Sequence, residues 1–161
     1  MNILALLGSP RPKGNSSILA AAITDRLHEA GHQVETHVLN NLSYRGCQAC
    51  GACKTTRETC ILTDDLEPVL ARVYEADVLI LATPVYWGDV SAQMKGFIDR
   101  TYSFLTPGFM TETIKHRLPP GKTLVFIQSQ AAQAEMFGDL FPRYNQFFEQ
   151  LPFFSAHHLL I

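Results

Sequence analysis

Unbroken apolar runs alternate along this chain with stretches of helical period. "NILALL" at 2–7 has no polar interruption, the pattern of a strand buried on both faces. The turn "GSPRPKGNS" follows. From Asn15 or Ser16 the period changes: Ile18, Leu19, Ala22, Ile23, Leu27 and Ala30 recur at helical spacing, and Gly31 ends the run. "QVETHVL" at 33–39 predicts a second strand, and residues 42–62 show no period. A helix is predicted over 64–76, with Pro68 in its first turn and acidic residues at its start, where the helix dipole favours them. "DVLILAT" at 77–83 is the most apolar strand; "PVYWGD" reads as a loop and 91–104 as a helix. Residues 105–120 look irregular, with Pro107, Gly108, Pro119 and Pro120. A strand at 122–129, a helix at 137–150 and a strand at 153–161 complete the pattern.

Such alternation predicts an α/β fold with a parallel sheet covered on both faces. Five strands fit a flavodoxin-like doubly wound sheet of order 2-1-3-4-5, in a single domain over 1–161 with a cysteine loop at 42–62. The helix that should follow the fifth strand is missing from the sequence. Either the chain is shortened, or a partner covers that apolar face.

Composition removes several alternatives. A net charge of −2 does not suggest nucleic acid or an anionic membrane as partner. No apolar run approaches the ~20 residues that span a bilayer. The opening residues read as strand and turn, not signal peptide, so a cytoplasmic location with reduced thiols is expected. The histidines, His28, His32, His37, His116, His157 and His158, show no pair at metal-ligand helical spacing.

Ligands of doubly wound sheets sit beyond the carboxyl ends of the strands, where strand order reverses. The loop after the first strand, "GSPRPKGNSS", offers the hydroxyls of Ser9, Ser16 and Ser17, the Asn15 amide and the Arg11 guanidinium, and it leads into a helix N-terminus that favours an anion. It matches neither the P-loop nor the dinucleotide fingerprint, so a phosphate monoester fits better. The alternative is an ordinary turn capped by Asn15 or Ser16. The loop after the third strand opens on the same edge. It holds Tyr86 and Trp87, the only tryptophan, beside Pro84, Val85 and Gly88. Exposed, these aromatics call for a flat partner such as a flavin ring; otherwise they pack on the 105–120 segment.

All four cysteines lie in "CQACGACKTTRETC", at Cys47, Cys50, Cys53 and Cys60. Disulfides here would close only small loops and stabilise little. The x2, x2 spacing matches runs that ligate 4Fe–4S clusters. Tetrahedral zinc is the rival, although zinc sites more often split their ligands into two distant pairs. Free thiols are a third reading.

The two loops resemble the flavin loops of the NADPH-dependent FMN reductase family, within the flavodoxin-like superfamily. The spacing C-x2-C-x2-C-x6-C resembles the cysteine motif of its iron–sulfur flavoprotein branch. The resemblance covers roughly 1–104. It implies that Ser9, Arg11, Asn15, Ser16 and Ser17 hold an FMN phosphate. Pro84, Val85, Tyr86, Trp87 and Gly88 would line the ribityl chain and isoalloxazine, with Ser129 and Gln130 near the ring. The family usually has a glycine-rich loop after strand four, where this chain has "QSQAAQAEMFG". An oxidoreductase is implied, moving electrons from NAD(P)H or a reduced carrier through FMN and a cluster to a small-molecule or protein acceptor, as a homodimer or homotetramer. No catalytic side chain is singled out. Two alternatives are a non-enzymatic electron carrier, for which −2 is a weak charge, and a quinone, nitro-compound or FMN reductase without a cluster.

Overall fold

The computed structural model describes residues 1–161, apart from the side chains of 154 and 155. The strands are β1 (Asn2–Leu7), β2 (Gln33–Val38), β3 (Val78–Tyr86), β4 (Asp89–Val90), β5 (Lys122–Ser129) and β6 (Phe153–Leu160). The helices are α1 (Asn15–Glu29), α2 (Ala52–Thr55), α3 (Leu66–Glu75), α4 (Ala92–Arg100) and α5 (Leu140–Phe148). Five strands run parallel in the order β2-β1-β3-β5-β6, and the two-residue β4 pairs antiparallel with β3. With β4 set aside, this is the flavodoxin-like order expected from the sequence.

The apolar runs divide by strand periodicity. Leu4, Leu6, Leu79, Leu81, Leu124 and Phe126 pack on one face of the sheet, beneath α3, α4 and α5. Ile3, Ala5, Leu7, Ile80, Ala82 and Ile127 pack on the other, beneath Ala20, Leu19, Ile23 and Leu27 of α1. Burial on both faces is why these strands carry no polar alternation. Leu159 pairs in register with Ile127 on the α1 face, yet it is exposed. No helix among the described residues covers β6 there.

Some boundaries differ from expectation. The third strand runs through Pro84 to Tyr86, further than predicted. Its pairing with β1 stops at Ala82 while that with β5 continues to Pro84. Pro84 therefore sits where one side of the strand is already unpaired and a missing N–H is tolerated. The helix predicted at 91–104 ends at Arg100 and tightens into a 3-10 turn over Thr101–Phe104. The one predicted at 137–150 begins at Leu140, after a 3-10 turn over Ala134–Phe137. The helix predicted from residue 64 begins at Leu66, because Asp64 and Asp65 serve the loop before it: Asp65 accepts the Ser43 N–H and Asp64 faces Arg100.

Candidate functional site

The loop after β1 is pinned by its first residue. Gly8 donates its N–H to the Ala82 carbonyl at 2.7 Å, and its carbonyl accepts the Ser91 hydroxyl at 2.7 Å. A Cβ there would lie 2.8 Å from Ser91 Oγ and 3.0 Å from Met94 Cβ, so only glycine fits. Ser91 also receives the Met94 N–H as N-cap of α4, and its own N–H reaches Thr83 Oγ1 at 3.0 Å. One buried serine thus ties β1, β3 and α4 together beneath the site.

The expected phosphate residues divide in role. Ser9 is buried, and its hydroxyl closes the turn: it accepts the Arg11 N–H at 3.1 Å and faces the Arg11 carbonyl at 3.2 Å. Ser17 Oγ lies 3.5 Å from the same carbonyl. The side chains of Arg11 and Asn15 are exposed. The predicted cap at Asn15 or Ser16 does not occur. Gly14 occupies the N-cap position with no side-chain hydrogen bond, because Asn15 and Ser16 already lie inside the first turn. The amides of Asn15, Ser16 and Ser17 find no acceptor among the described residues. Ser16 Oγ is buried and has no partner either. An open helix N-terminus with an orphaned hydroxyl beside it is a ready site for a phosphate.

The segment after β3 is a two-residue hairpin rather than an open loop, pairing Val85 with Val90 and Tyr86 with Asp89. Both turn residues have positive φ, 52° at Trp87 and 81° at Gly88. This turn favours Asn-Gly, and a left-handed tryptophan costs about 1–2 kcal/mol. Trp87 is fully exposed at 104 %, and Tyr86 is 40 % exposed. The alternative in which they pack on residues 105–120 therefore fails for Trp87. Strain and exposed aromatic surface coincide at this tip, the combination found where a ligand repays the cost. Phe137 flanks Gly88, and Tyr144 donates to Asp89 at 2.6 Å, which fixes the hairpin toward α5.

After β5, Ser129 is buried and pairs in register with Pro84. Gln130 is occupied elsewhere. Its Nε2 donates to the Gln133 carbonyl at 2.7 Å, and its Oε1 accepts from Gln128 at 2.6 Å. Its side chain orders the loop that stands in place of a glycine-rich turn.

The cysteine loop leaves β2 through a 3-10 turn over Leu39–Asn41 and settles along α4. Tyr44 lies against Gly96, where an added Cβ would meet its ring at 3.1 Å, and its hydroxyl donates to the Gln93 carbonyl. Burial pushes Tyr44 up to about 12. At the base of the loop, Arg100 donates from Nη1 to Asp64 at 2.6 and 2.7 Å and to the Arg45 carbonyl at 3.3 Å. Its Nη2 reaches the Leu62 carbonyl at 3.1 Å. Burial alone raises the Asp64 carboxyl, but hydrogen bonds from Arg100 and the Arg45 amide hold it below the usual carboxylate range. Both ends of the loop are thus held by one buried guanidinium.

Cys47 and Cys50 are exposed, Cys53 and Cys60 half-buried, and none is in a disulfide. All four line one cavity of about 540 Å³, which Asp99 and Tyr102 also border. Among the described residues, no three cysteine, histidine or acidic side chains come within reach of a common metal ion. The thiol-only donor set and the shared cavity suit a thiolate-held group. Sequence reading overlooked Ser91, Thr83, Tyr44 and the Asp64–Arg100 pair. "SAQMK" after a turn is an N-cap signal for Ser91; nothing in one sequence joins residues 64 and 100.

A doubly wound sheet with an unfilled helix N-terminus at its strand-order reversal defines a flavodoxin-like α/β protein. The model of the NADPH-dependent FMN reductase family matches residues 1–138, and the chain belongs to that family. It is 40% identical over 100 residues to an iron-sulfur flavoprotein of Archaeoglobus fulgidus, covering 62% of this chain and 45% of the relative. It is 37% identical over 101 residues to an iron-sulfur flavoprotein of Methanocaldococcus jannaschii, covering 63% and 52%. The chain spans about half the length of these curated relatives. Among solved structures, an NAD(P)H:quinone oxidoreductase from Methanothermobacter marburgensis superposes with a TM-score of 0.74 at 21% identity, over 99% of this chain and 82% of that one.

Proposed function

We propose that the chain is an FMN-binding domain of an NAD(P)H-dependent oxidoreductase of the iron–sulfur flavoprotein type. The observation that carries this reading is the unfilled α1 N-terminus, with its three unpartnered amides and the orphaned Ser16 hydroxyl. Ser16, Ser17, Asn15 and Arg11 would hold the FMN phosphate, while Ser9 shapes the turn that presents them. Pro84, Val85, Tyr86, Trp87 and Gly88 would flank the ribityl chain and ring, with Ser129 below and the Gln130 backbone nearby. Bound FMN supplies two-electron exchange with a nicotinamide and single-electron exchange with other carriers. The protein would contribute placement of the ring, with no side-chain acid or base required. Cys47, Cys50, Cys53 and Cys60 would hold a 4Fe–4S cluster, with zinc as the competing occupant, and the acceptor is a small molecule or a protein. Assembly as a homodimer or homotetramer belongs to the same reading. No helix among the described residues is long and apolar enough to cross a membrane.

A second reading is a flavin reductase whose cysteines hold no cluster; the missing site for a single ion among the described residues speaks against zinc and leaves the thiols free. One anaerobic absorption spectrum, with iron and acid-labile sulfide assayed on the same sample, separates the two. Flavin bands with about four irons per chain support the first, and flavin without iron supports the second. No flavin after FMN is added overturns both.

A further inference from the structure

Two cations converge on Cys53. The Lys54 ammonium has three donors, and three acceptors surround it: the Tyr102 carbonyl at 2.7 Å, the Leu105 carbonyl at 2.8 Å and Cys53 Sγ at 3.6 Å. It also lies 4.1 Å from the Tyr102 ring centroid. This lysine is fixed in place, unlike an ordinary surface side chain. Arg117 donates to the Ser103 carbonyl at 3.0 Å, to the Leu105 carbonyl, and to the Cys53 carbonyl at 3.0 Å. Both side chains are half-buried, and neither forms an ion pair among the described residues. Half-buried cations held mainly by neutral carbonyls are costly without a compensating anion. The nearest candidate is whatever the four thiols hold, since Cys53 and Lys54 line the same cavity.

We propose that Lys54 and Arg117 form a fixed cation pair that balances the negative charge of the thiolate-held group at Cys53 and sets its reduction potential. The proposal rests on the reading of the cysteine loop as a cluster site. A cluster carried by four thiolates is anionic and gains a further negative charge on reduction. Cations held at Cys53, Lys54 beside its sulfur and Arg117 at its carbonyl, therefore favour the reduced form and raise the potential. The pair also makes the ligands inequivalent, because Cys47 and Cys50 lie at the exposed side of the cavity.

The test compares wild type with Lys54→Met, Lys54→Arg and Arg117→Met, purified anaerobically, with FMN, iron and sulfide assayed and the non-flavin centre titrated by spectroelectrochemistry. Lys54→Met is expected to keep FMN and iron but to lower the reduced-to-oxidised ratio at fixed potential about tenfold, ~59 mV for a one-electron couple. Arg117→Met is expected to shift it the same way, and Lys54→Arg to restore it. Iron lost in Lys54→Met but kept in Lys54→Arg also supports the charge. An unmoved potential with iron retained overturns the proposal alone, as does iron lost equally from both Lys54 variants. Iron absent from wild type removes the cluster reading and the proposal with it, and the wild-type assay tells these cases apart.

Discussion

Ser16 is the most informative single residue, because its hydroxyl does nothing for the flavin-free fold. A buried polar atom without a partner opposes folding. Ser16→Ala should therefore leave the stability of flavin-free protein unchanged or slightly raised. If the phosphate is its missing partner, FMN binding should weaken by about 1.5–3 kcal/mol, the worth of a hydrogen bond to a charged group. Riboflavin, which lacks the phosphate, should bind both proteins equally. Titration by flavin fluorescence quenching measures both affinities and a urea melt the flavin-free stability, and equal loss for FMN and riboflavin would remove the phosphate from the argument. His158 offers a second residue-scale check. It stacks on Phe141 with centroids 4.6 Å apart, and its Nε2 lies 3.2 Å from Gln128 Oε1. Burial pushes it below its usual value. The unfolded chain then takes up this proton at higher pH than the folded one, so stability is present above 6.5 and is lost as pH falls below it. Replacing His158 with Gln should flatten that part of a urea-midpoint against pH curve.

At the scale of elements, the β3–β4 hairpin trades stability for site surface. Its turn geometry suits Asn-Gly, yet it carries Trp87 at φ 52°. Trp87→Asn should stabilise flavin-free protein by about 1 kcal/mol while weakening flavin binding. Thermal melts with and without FMN would show the two effects with opposite signs. Ser91→Ala should cost about 1 kcal/mol as a lost N-cap, and more through its bond to Gly8. The hairpin also shows where sequence reading reaches and where it stops. "NILALL" and "DVLILAT" announced buried parallel strands because burial on both faces leaves no room for alternation. Topology alone made the loops after them the candidate ligand loops. The hairpin itself was hidden, since Trp87 stands where asparagine normally precedes the turn glycine, and Pro84 just before it reads as a strand breaker. The helix N-terminus of α1 was legible as an anion site, but not that it lacks a side-chain cap. Good capping residues, Asn15 and Ser16, stand one and two positions too late to cap.

At the scale of the molecule, α4 is the shared support of both loops. Its N-terminus is capped by Ser91, which holds the loop after β1, and its length carries Tyr44 and the cysteine loop. Its last residue, Arg100, closes that loop's base. Nine residues of helix span about 14 Å, so the two regions are held at a separation fixed by one rigid element. Arg100 is the largest fully buried side chain and faces a single carboxylate. Removing one member of such a pair costs about 3–5 kcal/mol, because the other charge is left uncompensated. Arg100→Met should lower stability by that order and raise amide hydrogen exchange across residues 45–62, while exchange in β1 and β3 rises only with global opening. The acid side of the stability curve carries the signature of the pair. Asp64 is held below its ordinary value of 3.8, so its contribution is present above that pH and disappears as pH falls through the folded-state value. In Arg100→Met that acid-side loss should shrink, the Arg45 and Leu66 amides alone remaining to hold the carboxylate. Wild-type exchange across 45–62 in the variant would mean that the loop is held by Tyr44 and Lys54 alone, and that the guanidinium serves only the core.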